Sequence, residues 1–229
     1  MTYQYEYPHP AVTTDTAVFS IIEGRLNVAL IERGGEPYKG HWALPGGFVQ
    51  MDEDLETGAR RELAEEAGVT PAQLEGLPFL QLGAYGRPDR DPRERVITVV
   101  FLTLVPMDRL KLVASTDAAR AEWFSFDALP ELAFDHARIL EDARQALAKL
   151  VSTDLGEDAS VVFSFLPEEF TLSQAQVAFE TIKGAPLEKR NFRKWINSHW
   201  DLEDLQKKTT GGRHRPASLY KLKGPRKAA

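Results

Sequence analysis

The stretch that decides the fold is residues 47–69, GFVQMDEDLETGARRELAEEAGV, in which a glycine-led loop runs into a helix rich in carboxylates. Apolar residues recur at i, i+4 and i+8, which predicts a helix over residues 52–67. These apolar residues are Leu55, Ala59 and Leu63. Gly68 follows as a natural stop.

Three carboxylates crowd one face of this helix. Glu65 and Glu66 follow Glu62 at i+3 and i+4, so the three side chains lie within about 6 Å of one another. Like charges at this spacing destabilise a helix unless a cation lies among them, and hard oxygen ligands suit Mg²⁺ or Mn²⁺. An ion held there would be able to bind a pyrophosphate, neutralise its developing charge and help to ionise an attacking water. The alternative is a solvated, glutamate-rich helix.

Two further features of the stretch point to the same chemistry. Glu53 and Arg61 carry opposite charges and are expected to pair, which braces the loop against the helix. Gly47 lets the backbone approach a ligand or offer a carbonyl to the metal. The expected metal set is therefore Glu62, Glu65, Glu66 and Gly47, and the expected catalytic set is Glu65, Glu53 and Arg61.

The spacing of the whole stretch resembles the Nudix box at every fixed position. The matching residues are Gly47, Glu53, Arg61, Glu62, Leu63, Glu65, Glu66, Gly68 and Val69. Residues 40–48 (GHWALPGGF) also resemble Nudix proteins, in which a Pro-Gly-Gly turn leads from a strand into the box. The resemblance covers residues 12–150 and implies an α/β/α sandwich with a mixed sheet, and cleavage of a nucleoside diphosphate linked to another group.

The residues outside the box also alternate between strand patterns and helix patterns. Strand-forming sequence at 18–22 and 26–31 predicts a hairpin, 96–105 (VITVVFLTLV) and 122–126 predict two more strands, and 133–150 predicts a helix. Mixed strands and helices favour an α/β or α+β domain.

An arginine-rich loop is the candidate ligand site. Residues 86–95 (GRPDRDPRER) hold four arginines, which suit a phosphate-facing loop. The run from Arg90 and Asp91 to Arg93 resembles the loop of ADP-ribose pyrophosphatases and of Nudix-related regulators of NAD metabolism. Arg33 is a further ligand candidate, with an ordinary surface arginine as the alternative. Tyr85 stands sixteen residues past the box, where hydrolases specific for ADP-ribose tend to have proline.

Composition divides the chain and limits its location. The net charge of −6 combines +8 over residues 171–229 with −14 over residues 1–170. We expect an N-terminal domain over 1–152, a connector over 153–165 and a C-terminal domain over 166–229; residues 161–165 form either an edge strand or an interdomain contact. No apolar run is long enough to span a bilayer, the first residues are unlike a signal peptide, and there is no cysteine. A cytoplasmic protein without a membrane partner is expected.

The basic C-terminal segment is patterned like a DNA-binding motif. A helix is expected from about 170 to 183, capped by Thr171 or Ser173, and a second helix over 187–200. On the second helix an apolar stripe falls at i, i+3, i+4, i+7 and i+8: Phe192, Trp195, Ile196, His199 and Trp200. The opposite face carries Arg190, Arg193, Lys194 and Asn197. One face packs and the other is basic.

A glycine-tipped basic hairpin follows the two helices. It contains Lys207, Lys208, Arg213, His214 and Arg215, with a strand-like pattern at 218–222. Two helices and such a hairpin describe a winged helix-turn-helix, whose second helix enters the major groove while the wing contacts phosphates. The alternative is a solvated amphipathic helix with a flexible basic tail.

Both halves together resemble the Nudix-related transcriptional regulators of NAD metabolism. The C-terminal resemblance lies in residues 189–193 (KRNFR), which include Asn191, and 211–216 (GGRHRP). It implies a regulator, expected to be a repressor, that senses ADP-ribose or a related nucleotide and binds a palindromic double-stranded operator as a homodimer. Members of that family often have eroded boxes, whereas this box is intact. The alternative is a Mg²⁺-dependent ADP-ribose pyrophosphatase whose basic domain serves dimerisation.

Overall fold

The computed structural model describes residues 6–106, 108–113, 118–152, 157–209 and 216–226. The chain divides into two compact units. The N-terminal unit comprises Met1–Phe19, Asn27–Thr103 and Leu110–Ala143, and the C-terminal unit comprises Ser20–Leu26, Leu104–Arg109 and Arg144–Ala229. Within the described residues, no helix is both long and apolar enough to cross a membrane.

A seven-stranded sheet forms the centre of the fold. Its strands are β1 (Ala11–Ile22), β2 (Arg25–Arg33), β3 (Trp42–Ala43), β4 (Gly46–Phe48), β5 (Phe79–Tyr85), β6 (Val96–Leu104) and β7 (Ala118–Ser125). The order is β3-β2-β1-β6-β5, with β4 paired to β1 and β7 paired to β2. The continuous apolar run of β6 is buried along nearly its whole length, as expected of a central strand.

The first helix owes its limits to its two ends. α1 spans Leu55–Ala67, because Asp54 accepts a hydrogen bond from the backbone of Thr57 and Gly68 adopts the left-handed conformation at φ 67°. It therefore begins three residues later than the sequence predicts.

Two further α-helices and a 3₁₀ helix, Phe126–Ala128, are described in this part of the chain. The short α2 covers Pro71–Leu74, and α3 covers His136–Ser152. The expected start of α3 at residue 133 is wrong, because Phe134 has a φ of +53° that a right-handed helix does not accommodate.

The C-terminal elements are two helices and a hairpin, preceded by a 3₁₀ helix. The 3₁₀ helix spans Glu157–Phe165, followed by α4 (Leu172–Lys183), α5 (Lys189–His199), β8 (Trp200–Lys208) and β9 (Ser218–Pro225). The expectation of an edge strand at 161–165 is wrong. Phe163 of the 3₁₀ helix contacts the rings of Phe170, Phe179 and Trp200, so it belongs to the core of this unit.

The second of these helices buries most of its predicted stripe. Phe192 and Ile196 are buried, and Trp195 packs edge-on against Phe179. His199 departs from the prediction, because its ring stacks on Trp195 and stays exposed to solvent. The carboxylate of Glu188 caps the helix by accepting hydrogen bonds from the backbone N–H groups of Arg190 and Asn191. For this reason α5 starts at Lys189 and not at 187.

Candidate functional site

A polar cavity of about 370 Å³ in the N-terminal unit collects most of the predicted site residues. The predicted residues that line it are Arg33, Gly47, Arg61, Glu62, Glu66, Arg90, Asp91 and Arg93. Glu53 and Glu65, which were also predicted, do not line it. Strands β1 and β4, helix α1 and the 86–95 loop, which the sequence separates, therefore meet around one volume.

Arg61 forms hydrogen bonds to three carboxylates of the Nudix box. Its guanidinium donates to Glu53 through Nε at 3.0 Å and through Nη2 at 2.7 Å, and Nη2 also donates to the carbonyl of Phe48 at 3.1 Å. Nη1 donates to Glu62 at 2.7 Å and to Glu65 at 3.0 Å. The hydrogen bonds from Arg61 hold the pKa of Glu53 down at about 2. The expected brace between the loop and α1 is therefore present in the structure.

Two carboxylates beside this brace are held in poorly solvated positions. Burial raises the pKa of Glu62, although Arg61 acts in the opposite sense. Burial also raises the pKa of Glu66 to about 8, and the nearby Glu62 and Asp15 carboxylates add to that shift. A proton or a cation is therefore stabilised between these groups.

Glycines let the strand approach these carboxylates closely. A Cβ atom on Gly47 would lie 2.5 Å from Oε1 of Glu62. The backbone N–H of Gly46 donates to Oε2 of Glu66 at 2.8 Å, and a Cβ on Gly46 would lie 2.2 Å from the carbonyl oxygen of Thr14. Any side chain at 47 would displace Glu62, and any at 46 would meet backbone.

The donor chemistry of this site fits a hard divalent cation, but the groups are not yet arranged around one. Across the described ranges, no three His, Cys, Asp or Glu side chains already converge as an ion site. The reason is visible in the contacts, since Arg61 bonds Glu62 and Glu65 while Glu66 bonds the backbone of Gly46. A cation would have to take Glu62 and Glu65 away from Arg61.

Arginines form the other side of the cavity. The guanidinium carbon of Arg33 lies 4.8 Å from the centroid of Phe134, and that of Arg93 lies 6.0 Å from the same centroid. Burial lowers the pKa of Arg33, and the positive charge of Arg93 lowers it further. Two cations gathered at one cavity wall favour an anionic ligand.

The other two predicted residues of the arginine loop are occupied. Arg90 is buried and donates to Asp135 through Nε at 3.2 Å and Nη2 at 2.8 Å. Asp91, also buried, accepts from Nε and Nη2 of Arg93 at 3.0 and 2.7 Å, which lowers the pKa of the Asp91 carboxyl. Arg90 and Asp91 therefore support the loop, and Arg93 is the more exposed cation.

Among the lining residues that the sequence did not predict are Asp15, Phe134 and His136. Asp15 is buried on β1, where it accepts from Oγ1 of Thr98 at 2.6 Å. Phe134 enters the wall from the segment just before α3, and His136 enters it as the first residue of α3. A carboxylate inside a strand rich in β-branched residues was the available signal for Asp15. For Phe134 and His136 the sequence offered none, because their partners lie far away along the chain.

Tyr85 has a structural partner outside the cavity. Its hydroxyl donates to Oδ2 of Asp142 at 3.1 Å, and burial with this carboxylate raises the pKa of Tyr85 to about 12. It does not line the cavity.

The basic face of α5 is exposed as predicted. The exposed residues are Arg190, Asn191, Arg193, Lys194 and Asn197. Asn197 turns its amide back onto the helix and donates to the carbonyl of Arg193 at 2.8 Å. In the described part of the chain, no ion pair neutralises the cations of this face.

Among the described wing residues, one of the predicted cations is paired within the fold. Lys207 donates to Glu169 at 2.7 Å, so its charge is already paired, whereas Lys208 is exposed at the end of β8. Lys221 is likewise paired with Glu168, which raises the pKa of the lysine. Arg213, His214 and Arg215 lie outside the described residues.

A larger cavity of about 560 Å³ lies in the C-terminal unit. Apolar side chains such as Ile21, Phe165 and Val177 dominate its lining, and Asp108 is the one charged group among its lining residues. The smaller polar cavity therefore collects several charged groups, whereas this larger cavity is mostly apolar.

Two family models match the chain. Residues 13–143 match the NUDIX domain, and residues 162–222 match the NrtR DNA-binding winged helix domain. The chain belongs to the NUDIX family and, within it, to the NrtR-type proteins that carry a C-terminal winged helix domain. The α/β class and the winged helix expected from the sequence are confirmed.

Curated relatives and a solved structure agree with this assignment. The chain is 34% identical to the ADPR responsive transcriptional repressor NtrR of Acinetobacter baylyi, over 95% of this chain and 84% of the relative. It is 46% identical to the ADP-ribose pyrophosphatase of Methanocaldococcus jannaschii, over 59% of this chain and 74% of the relative. Shewanella oneidensis NrtR in complex with a 27mer DNA superposes with a TM-score of 0.73 and 30% identity, covering 93% of each chain.

Proposed function

We propose that this protein is a transcriptional repressor that responds to ADP-ribose: its NUDIX domain binds the nucleotide and its winged helix domain binds double-stranded DNA. The observation that carries the proposal is the presence, in one chain, of an arginine-walled polar cavity and an exposed basic face on α5. The relative from Acinetobacter, named as an ADPR responsive repressor, and the DNA complex of Shewanella NrtR support it.

The cavity suits a nucleoside diphosphate in charge and in size. Its volume of about 370 Å³ lies in the range of sites that hold small molecules. Arg33 and Arg93 provide cations for the phosphates, with the loop behind them held by the Arg90–Asp135 pair. On the other side of the cavity, ionised carboxylates of Glu62 and Glu66 would repel a bare diphosphate. A divalent cation would bind both the carboxylates and the diphosphate and so remove this repulsion.

The residues that would hold Mg²⁺ or Mn²⁺ are Glu62, Glu66 and the backbone of Gly47, together with Glu65 once Arg61 releases it. When bound, such an ion polarises a phosphoryl oxygen and lowers the pKa of a coordinated water. Arg61, tied to Glu53, keeps the loop and α1 in register and holds Glu62 and Glu65 until a cation competes for them. We keep Glu65, Glu53 and Arg61 as the catalytic set of this proposal.

On the DNA side, α5 would lie in the major groove. Arg190, Asn191, Arg193, Lys194 and Asn197 would face bases and phosphates, and Lys208 would contact the backbone beside the groove. A palindromic operator requires two copies of the motif, so the proposal includes a homodimer acting in the cytoplasm on chromosomal DNA. ADP-ribose changes DNA affinity only if it binds the DNA-competent and the released state with different affinities.

Hydrolysis is the second candidate function, favoured by two observations. The box is intact, and the NUDIX half is 46% identical to an ADP-ribose pyrophosphatase. A pure hydrolase, however, has no use for an exposed basic face on α5. We therefore propose hydrolysis as an activity additional to regulation and not as an alternative to it.

The test is a fluorescence-anisotropy titration of the promoter region beside this protein's own coding sequence, with and without ADP-ribose. We expect ADP-ribose to shift the apparent dissociation constant, and Arg193→Ala with Lys194→Ala to abolish binding. The matched control is Lys39→Ala with Arg87→Ala, which removes two exposed cations outside the winged helix. DNA affinity that ignores ADP-ribose would overturn the sensing role, and DNA binding by the α5 double variant would overturn the recognition helix.

A second assay separates the hydrolase from the sensor. Wild-type protein and Glu66→Gln are incubated with ADP-ribose and Mg²⁺, and the products are separated by chromatography. Cleavage by the wild type that Glu66→Gln loses supports the metal site. Equal cleavage by both would place the metal elsewhere.

A further inference from the structure

Phe134 stands at the centre of the cavity's cationic wall. The guanidinium carbons of Arg33 and Arg93 both lie within about 6 Å of the centroid of its ring, a distance at which cation–π attraction operates. These arginines come from β2 and from the 86–95 loop, 60 positions apart in the sequence. The ring of Phe134 therefore lies near both cations, and Arg93 also lies 5.4 Å from the ring centroid of Phe48.

The backbone at Phe134 is held in a conformation that a bulky residue rarely adopts. Its φ is +53°, in the left-handed region, and the surrounding structure must stabilise it. Tyr38, which has a φ of +62°, packs edge-on against the ring of Phe134 with 4.8 Å between centroids. Two residues later, Nδ1 of His136 accepts from the backbone of Leu44. The centroid of the His136 ring lies 5.4 Å from that of Phe134, so the rings of Tyr38 and His136 both pack against Phe134.

The arginines keep donors available for a ligand. Arg33 uses Nε to bond the carbonyl of Pro37 at 2.8 Å, and Arg93 uses Nε and Nη2 to bond Asp91. Within the described ranges, neither terminal nitrogen of Arg33 has a hydrogen-bond partner, and neither has Nη1 of Arg93. Each guanidinium is thus anchored through one edge and open at another.

We propose that Phe134 is a positioning residue that holds Arg33 and Arg93 on one ring and thereby makes the cavity selective for two linked phosphates over one. This inference rests on the proposed nucleotide-binding function. A ligand that contacts both arginines gains from their fixed arrangement, because neither side chain has to be ordered on binding. A ligand with one phosphate contacts one arginine fully and gains little from the second.

Calorimetric titration of the full-length protein tests this selectivity. The ligands are α,β-methylene ADP-ribose, which has an uncleavable link between its phosphates, and AMP, both with Mg²⁺. We expect Phe134→Leu to weaken binding of the methylene analogue by about tenfold, equivalent to roughly 1.4 kcal/mol, and binding of AMP by less than about threefold. Phe134→Tyr keeps the ring and should keep the wild-type ratio of affinities.

A matched control separates the cavity from a general loss of an aromatic ring. Phe79 has Arg60 at 4.1 Å from its centroid and does not line the cavity, so Phe79→Leu removes the same kind of contact elsewhere. It should leave both affinities unchanged. A double-mutant cycle of Phe134→Leu with Arg33→Ala should be strongly non-additive, because the ring acts through the arginine.

The outcomes are distinguishable. Wild-type protein that fails to bind the methylene analogue overturns the proposed function itself. If the wild-type protein binds the analogue, the proposed function stands. A Phe134→Leu variant whose affinity for both ligands is unchanged, or falls equally for both, would then overturn only the role of Phe134. An additive cycle with Arg33→Ala would also overturn it, since the ring would then act independently of the arginine.

Discussion

The backbone N–H of Leu44 donates to Nδ1 of His136 at 2.9 Å, although the two residues are 92 positions apart. This bond places the imidazole proton on Nε2, which lies 3.7 Å from Oδ1 of Asp15. It joins the turn that enters the Nudix box to the first residue of α3. Burial lowers the pKa of His136, outweighing the nearby Asp15 carboxylate, so the neutral form is the native one.

His136 should make the protein less stable in mild acid. Its pKa is lowered in the folded state, so below about pH 6.5 the unfolded chain takes up a proton that the folded chain does not. The free energy of unfolding should therefore fall as pH decreases from about 6.5 toward the folded pKa, by at most roughly 1.4 kcal/mol per pH unit. Urea denaturation at a series of pH values measures this slope.

The comparison needs a variant, because Glu66 acts in the opposite sense. Its pKa is raised to about 8, so its contribution is full below about pH 4.5 and is lost as pH rises toward 8. His136→Ala should lose the slope due to His136 and about 1–3 kcal/mol of stability, since the N–H of Leu44 loses its acceptor. Exposed His9→Ala should do neither. An unchanged slope in His136→Ala would contradict the prediction.

Arg61→Lys should destabilise the N-terminal unit by roughly 1–3 kcal/mol. Lysine cannot reproduce the fork that contacts Glu53, Glu62 and Glu65 together. The neighbouring Arg60 makes an exposed pair with Glu56, so Arg60→Lys should change the free energy of unfolding by less than about 0.5 kcal/mol. Urea denaturation of both variants gives the result, and equal effects would mean that Arg61 is not a brace.

Arg193 and Lys207 should differ in their importance for DNA binding. Arg193 is exposed and unpaired within the described chain, so Arg193→Ala should weaken operator binding by about tenfold or more. Lys207 is paired with Glu169 at 2.7 Å, so Lys207→Ala should weaken it by less than about threefold. Anisotropy titrations at several salt concentrations measure both affinities. A larger effect of Lys207→Ala would show that the wing pair opens on DNA.

Phe163→Ala should destabilise the C-terminal unit by about 3–5 kcal/mol, because the ring fills space among Phe170, Phe179 and Trp200. The loss should appear in the fluorescence of Trp195 and Trp200 and in DNA affinity, while nucleotide binding by the N-terminal unit is retained. A variant of wild-type stability would mean that residues 157–165 act only as a connector, as the sequence predicts for 153–165.

Several features of this protein follow from sequence alone because they depend on local geometry. The spacing of Glu62, Glu65 and Glu66 fixes their common helix face, since side chains at i, i+3 and i+4 are neighbours on any α-helix. Gly68 ends that helix by adopting a positive φ that other residues rarely take. The apolar and basic faces of α5 follow from the same periodicity, with His199 as the exception because Trp195 covers only one side of its ring.

The remaining features required the tertiary structure because they depend on partners far apart in the chain. Arg90 is a residue type that often binds phosphate, but in the structure it is buried and paired with Asp135. Lys207 is likewise a residue type that often contacts phosphate, but its charge is paired with that of Glu169. A side chain's charge is written in the sequence, whereas its availability depends on what the fold places beside it. Periodicity thus determined the box helix and the two faces of α5, and only long-range packing decided which charged side chains of the described residues are paired within the fold.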